Sequence, residues 1–269
     1  SSADEDLPLG ENVRRYYVAG SPHGGGAGGF RHEGQGKGFS CPGNNFGSAT
    51  LAANPVPHRE IRNLLSEAMR DWVLGGTTPP ASRYPTLARA ELVDPTREAM
   101  GFPRGIPGIA ESIFRPENFV FPVLDYDWGA GFDRVEAAGV VELVPPKIRR
   151  VLPAKVPRVD ADGNEVGGVP TVLTMAPLGT YLGWNITADG IHAGQVCNYA
   201  GGYVPFARTR AEREASGDPR LSLEERYGDR AGYLKAVRRA ADVALGQGYL
   251  LKVDHERLLK EAAGSDVMR

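Results

Sequence analysis

Between Gly20 and Thr50 the chain carries eleven glycines, directly after the β-rich tetrapeptide Tyr16-Tyr17-Val18-Ala19. Glycine loses more backbone freedom on folding than any other residue. A structured loop of this density therefore forms where backbone must come close to another part of the molecule. The alternative is a mobile surface loop over Gly34–Gly47. The run opens Gly20-Ser21-Pro22-His23-Gly24, so a short strand ends by delivering a histidine into the loop. Residues at the carboxyl ends of strands are well placed for chemistry, because a rigid sheet holds the loop that follows.

The same punctuation continues downstream. Glycine (35) and proline (21) both exceed average usage, which favours turns and loops over a repeated α/β layer. Apolar residues (41%) and charged residues (24%) are near the globular norm, so wholesale disorder is not expected. A formal charge of −2 lacks the clustered basic excess of a nucleic-acid surface. No run of about 18 apolar residues is present, so no membrane span is expected. The opening Ser-Ser-Ala-Asp-Glu-Asp, without an initiator Met or signal peptide, reads as a processed or fragmentary chain, cytoplasmic or exported. Cys41 and Cys197 read as two isolated thiols; a single long-range bridge is the alternative if the protein is exported.

Asn54-Pro55-Val56-Pro57 stops the chain before its clearest helix, His58 to Leu74. There Ile61, Leu64, Leu65, Met69, Trp72 and Val73 recur at three- and four-residue spacings, and this apolar face is expected to pack on a core. Gly75-Gly76 and Pro79-Pro80 end it. From Ser82 to Pro116 the segments are short, extended and proline-broken. Aromatics cluster from Phe119 and Phe121 through Tyr126, Trp128 and Phe132, and β-like alternation follows around Val140–Val144. Val156–Val159 and Glu165-Val166 flank Asp160-Ala161-Asp162-Gly163-Asn164, a hairpin turn by its Asp-Gly. As a calcium loop that stretch has a misplaced glycine and no closing glutamate. Thr171 to Leu178 reads as a strand, and Asn185 begins an Asn-x-Thr sequon. Ser222 with Glu225 forms a capping box. An amphipathic helix follows over Leu234–Leu245, then a last short helix capped by Asp254. The arginines of 208–213 read as a solvated face or salt-bridge partners.

His23-Gly24-Gly25-Gly26 matches the oxyanion loop of some esterases. That reading requires a Gly-x-Ser-x-Gly elbow, and none of the eleven serines supplies one; the nearest, around Ser40, has Pro42 in place of the second glycine. Three readings of His23 remain: the general base of a Ser-His-acid triad, followed by the helix at His58 as that fold requires; a metal ligand with His32, whose spacing matches no standard geometry; and a loop histidine without a role.

Several segments, in order along nearly the whole chain, resemble a bacterial family labelled alpha/beta hydrolase domain-containing protein. They include Asn12-Val13-Arg14 with Ala19-Gly20-Ser21-Pro22-His23-Gly24, Asp71-Trp72-Val73 with Gly76 to Pro85, and Pro157 to Glu165. Leu178 to Asn185, Pro205 to Thr209 and Gly217 to Tyr227 complete the match. The resemblance implies that His23 holds the triad-histidine position, with the nucleophile and acid upstream of Ser1; Asp4 and Asp6, in the polar lead-in, are not assigned as the acid. It implies an α/β fold: residues 1–80 as the end of an α/β-hydrolase core, with last strand, histidine loop and helix. Residues 81–269 form an irregular α+β region packed on or capping it, helical from about 222. The expected function is that of the carboxyl-terminal part of a serine carboxylic-ester hydrolase. It acts on a small-molecule ester without metal or organic cofactor, and its missing amino-terminal portion is a required partner. Tyr126, Trp128, Tyr181 and Trp184 are candidates to line an apolar acyl or alcohol pocket. The alternative is a non-catalytic ligand- or protein-binding domain with an aromatic-lined pocket.

Overall fold

A computed structural model describes residues 5–34, 41, 47–120, 123–133, 135–136, 139–197 and 200–269. Asp4, Ser40, Phe121 and most of Gly34–Gly47 lie outside the described residues. The strands are short. The largest sheet among the described residues has three antiparallel strands in the order Ala52–Ala53, Gly202–Pro205, Gly179–Leu182. Tyr203, in its middle strand, faces both Ala52 and Tyr181, and the two tyrosine rings stack at 5.3 Å.

Tyr16–Ala19 is held by isolated parallel bridges, Tyr16 to Arg83 and then Val18 to Val169. Pro85, two residues past Arg83, has no N–H to extend the first bridge, and the Thr171 N–H, two residues past Val169, donates to Thr174 Oγ1 instead. The pairing therefore stays local.

The helix Arg59–Gly75 forms where the apolar spacing puts it and ends at Gly76, whose φ of 70° lets its N–H turn back onto the last turn. Only its beginning packs. Ile61 and Leu64 are buried with Val169, beside Tyr249 and Leu251, whereas Met69, Val73 and Leu74 are exposed. The expected core contact thus covers the first two turns, and Trp72 instead takes the Arg14 guanidinium 5.0 Å over its ring.

The main core joins Phe30 and Val56 to Val172, Leu173, Tyr233 and Val237. Its helical wall is Arg230–Gly246 packed on Lys252–Gly264. Short helical turns occur before 200, and the helical tail begins ahead of 222, at Arg210–Ser216, where Thr209 and Glu212 form a capping box; Ser222 and Glu225 form the next. Asp254 is not a cap. Leu251 takes that position, and buried Asp254 accepts from Arg257 at 2.8 Å and from Asn63 at 3.1 Å.

Thr171 to Leu178 is not a strand. Thr171 follows Pro170, and its hydroxyl accepts the Thr174 N–H to start the helix Val172–Met175. Val140–Val144 forms no strand either; Lys147–Leu152 does, antiparallel to Val123–Asp127. The turn after Val159 is as expected. Val159 bridges Glu165, Asp160 N–H donates to Asn164 O at 2.8 Å, and Gly163 takes a φ of 77°.

Cys41 and Cys197 are joined in a disulfide, their Cα atoms 5.5 Å apart, rather than left as two thiols. The bridge Ala49–Thr187 and the strand pair Asn185–Ile186 with Val196–Cys197 bring the two segments together. Asn185 is fully buried, and its amide accepts from Leu51 N–H and donates to Leu51 O and Gly201 O, so the sequon is closed to glycosylation in the folded chain.

Candidate active site

The peptide of Gly20, where the first extended segment turns, is gripped from both sides. Its N–H donates to Glu165 Oε2 at 2.7 Å, and its carbonyl accepts from Asn54 Nδ2 at 2.6 Å. Asn54 is buried; the same amide nitrogen donates to Leu182 O at 2.8 Å, and Oδ1 accepts from Val56 N–H at 2.8 Å. One side chain thus ties the turn to the central sheet and to the approach of the long helix. The glycines that follow explain their own density. A Cβ on Gly26 would lie 2.3 Å from Asn54 O, and one on Gly25 3.0 Å from the His58 ring. Gly26 N–H reaches Val56 O at 2.6 Å across that close approach.

Ser21 and His23 lie beyond this turn. Ser21 Oγ is 2.8 Å from His58 Nε2 and donates to Val18 O at 3.0 Å. A neutral imidazole with its hydrogen on Nε2 fits both contacts, donating to Ser21 Oγ while the hydroxyl donates to Val18 O. Half-buried His58 is held below the ordinary histidine range by burial first, then by the charges of Arg62 and His23. His23 itself is exposed.

Ser21, His23 and Glu165 border one cavity of about 590 Å³. The Glu165 carboxyl is pushed above its usual range by burial, against the opposing hydrogen bonds from Gly20 N–H and the Tyr17 hydroxyl, the latter at 2.8 Å. The Tyr17 phenol is raised in turn by burial and by Glu165. The apolar part of the cavity's lining includes Met100, Phe102, Phe119 and Trp184.

Of the residues singled out from sequence, His23, Tyr181 and Trp184 border this cavity together. Tyr181 is almost wholly core, stacked on Tyr203, with its hydroxyl accepting the Leu178 N–H at 3.1 Å. Tyr126 and Trp128 are not part of the lining; their rings pair at 5.4 Å at the Val123–Asp127 hairpin. Asp6 is turned to Leu87 and Ala88, whose N–H groups it accepts and which lower its pKa. His32 is buried, with Nε2 donating to Phe206 O at 2.6 Å. Among the described residues no group of three or more His, Cys, Asp or Glu is placed to hold a metal ion. Sequence reasoning missed Asn54, His58 and Glu165. The only sequence signals were a polar residue before a proline, a histidine at a helix start and a glutamate after a turn.

A family model described as an alpha/beta hydrolase domain matches residues 1–260. Comparison with curated proteins and with solved structures gives no match.

Proposed function

The chain belongs to the alpha/beta hydrolase domain family, and from that premise we propose that it carries the histidine of a serine carboxylic-ester hydrolase. In this reading His23 takes the proton of a serine hydroxyl as that oxygen attacks the ester carbonyl. It returns the proton to the departing alcohol, leaving an acyl-enzyme. The same imidazole then deprotonates water, which attacks the acyl carbon and releases the acid. No serine of residues 1–269 lies in a Gly-x-Ser-x-Gly elbow, and in this reading the nucleophile and its acid come from outside them. Ser21 lies in no such elbow and is not assigned as the nucleophile; its hydroxyl joins Val18 O at 3.0 Å and His58 Nε2 at 2.8 Å. It pins the loop.

The observation that supports this reading is the position of His23, just past Gly20, whose N–H and carbonyl are both held, and beside the cavity that Trp184 also borders. Trp184 and the edge of Tyr181 contact substrate. The test is turnover of short-chain p-nitrophenyl esters by the longest polypeptide the gene encodes, with and without His23→Ala. Loss of about 10³-fold or more in kcat is expected, and unchanged turnover removes His23 from the mechanism. The aromatic wall also suits a non-catalytic binding domain. Ester binding without turnover in the longest polypeptide selects that reading.

A further inference from the structure

The cavity beside His23 is uneven in chemistry. The Trp184 ring meets Phe119 edge to face at 5.4 Å, and it lies 6.3 Å from Phe102. Phe114 backs this group, edge-on to Trp184 at 6.2 Å. Ser21, His23 and Gln195 also border the cavity. Apart from histidines and tyrosines, the ionisable side chains bordering the cavity are two carboxyls, Glu117 and Glu165; among the described residues no lysine or arginine borders it. Arg97, the nearby buried cation, is committed elsewhere. Its guanidinium lies 4.0 Å over the Phe114 ring and 3.1 Å from Glu111.

We propose that this cavity binds the flat, apolar part of an uncharged carboxylic ester, an aryl-alkyl group seated on Trp184 and Phe119, and that it discriminates against anions. The word ester rests on the hydrolase reading; the binding does not. An anion entering here gives up hydration without gaining a cation, and it faces carboxyls and the electron-rich faces of rings. A cation finds little better. Glu165 Oε2 is occupied by Tyr17 and Gly20, burial opposes the carboxyl's ionisation, and Glu117 is exposed to solvent. A neutral aromatic group asks for none of these pairings and buries its surface against the wall.

The test compares three ligands of one carbon skeleton at pH 8, where ordinary histidines are neutral: methyl 4-phenylbutyrate, 4-phenylbutyrate and 4-phenylbutyltrimethylammonium. Each is titrated into the chain by calorimetry. The ester is expected to bind at least about tenfold more tightly than the anion and than the cation. Trp184→Ala and Phe119→Ala are each expected to weaken ester binding by about tenfold or more. Phe119, only partly buried, serves as the second variant if the tryptophan change impairs folding. An anion or cation that binds as well as the ester, an ester that does not bind, or ester binding unchanged in the well-folded variants overturns the proposal. If the ester binds selectively while His23→Ala leaves turnover intact, the hydrolase reading falls and the binding inference stands. If His23→Ala abolishes turnover while the anion binds as well as the ester, only the binding inference falls.

Discussion

His58 Nε2 lies 2.8 Å from Ser21 Oγ, joining the start of the long helix to the loop that carries His23. A neutral imidazole carrying hydrogen on Nε2 satisfies this contact while the hydroxyl donates to Val18 O. Burial and the neighbouring charges of Arg62 and His23 keep that imidazole neutral to lower pH than usual. In the unfolded chain the residue titrates near about 6.5. The fold thus binds fewer protons than the unfolded chain just below that pH, and this stability contribution, present above it, is lost as pH falls. An NMR titration is expected to place the His58 midpoint below about 6.5. His58→Ala is expected to flatten this part of the stability profile. A midpoint at or above the unfolded value refutes the arrangement.

Asn54 makes three buried hydrogen bonds, to Gly20 O, Leu182 O and Val56 N–H. Asn54→Ala leaves those backbone groups without their partner in a site closed to solvent. A loss of about 2–4 kcal/mol is expected in urea unfolding. The Gly20 turn should loosen with it, so hydrogen exchange at the Gly20 N–H is expected to quicken. Unchanged unfolding would mean that the amide does not bind the turn to the sheet.

Glu165 gives the opposite pH sign. Its folded pKa is raised by burial, so the fold holds a proton that the unfolded chain releases above about pH 4.5. Its stability contribution is full below that pH and declines as pH rises through the higher folded value. Glu165→Gln keeps an oxygen able to accept the Gly20 N–H and the Tyr17 hydroxyl, and removes the ionisation. Between pH 4 and 7 the variant is expected to lose this declining limb in denaturant midpoints. A slope as steep as that of the unsubstituted chain counts against the raised carboxyl.

How much of this was legible in the sequence divides by range. The helix Arg59–Gly75, the turn at Asp160 to Asn164 and the Ser222–Glu225 capping box depend on residues within a few positions, and their spacing announces them. Thr171 to Leu178 is apolar enough for a strand, but the cap made by Thr171 and Thr174 after Pro170 decides for helix. The site is long-range. His58 and Ser21 are 37 residues apart, and Glu165 is 145 from Gly20, so no local pattern couples them. Its place after a strand-like run and the family resemblance marked His23. Aromatic identity alone could not sort Trp184, at the cavity, from Tyr126 and Trp128, at the hairpin.

Arg220 is fully buried, with its guanidinium on Asp218 at 2.6 Å and on Thr180 Oγ1 at 2.8 Å, Val204 O at 2.9 Å and Pro205 O at 3.1 Å. It fastens the turn before the Leu223–Tyr227 helix to the central sheet. Arg220→Ala leaves Asp218 buried without its cation and is expected to cost about 3–5 kcal/mol. The double change with Asp218→Ala should be less damaging than the sum of the two single changes, since it removes the stranded charge as well. Additive losses in urea unfolding would mean that the pair is not coupled.

The disulfide is a covalent long-range restraint, closing a separation of 156 residues between Cys41 and Cys197. Chain-entropy reasoning gives such a cross-link at most about 5 kcal/mol, acting by restricting the unfolded chain. Strain and residual structure lower the observed value, so reduction is expected to cost about 2–4 kcal/mol. Thiol titration of the denatured, unreduced protein should find no free cysteine, and reductant should lower the melting temperature by several degrees. In the Cys41→Ser, Cys197→Ser double variant the melting temperature should already be low and reductant should not move it. That insensitivity separates loss of the cross-link from a general effect of the reductant. Two free thiols in the denatured, unreduced chain would overturn the pairing outright.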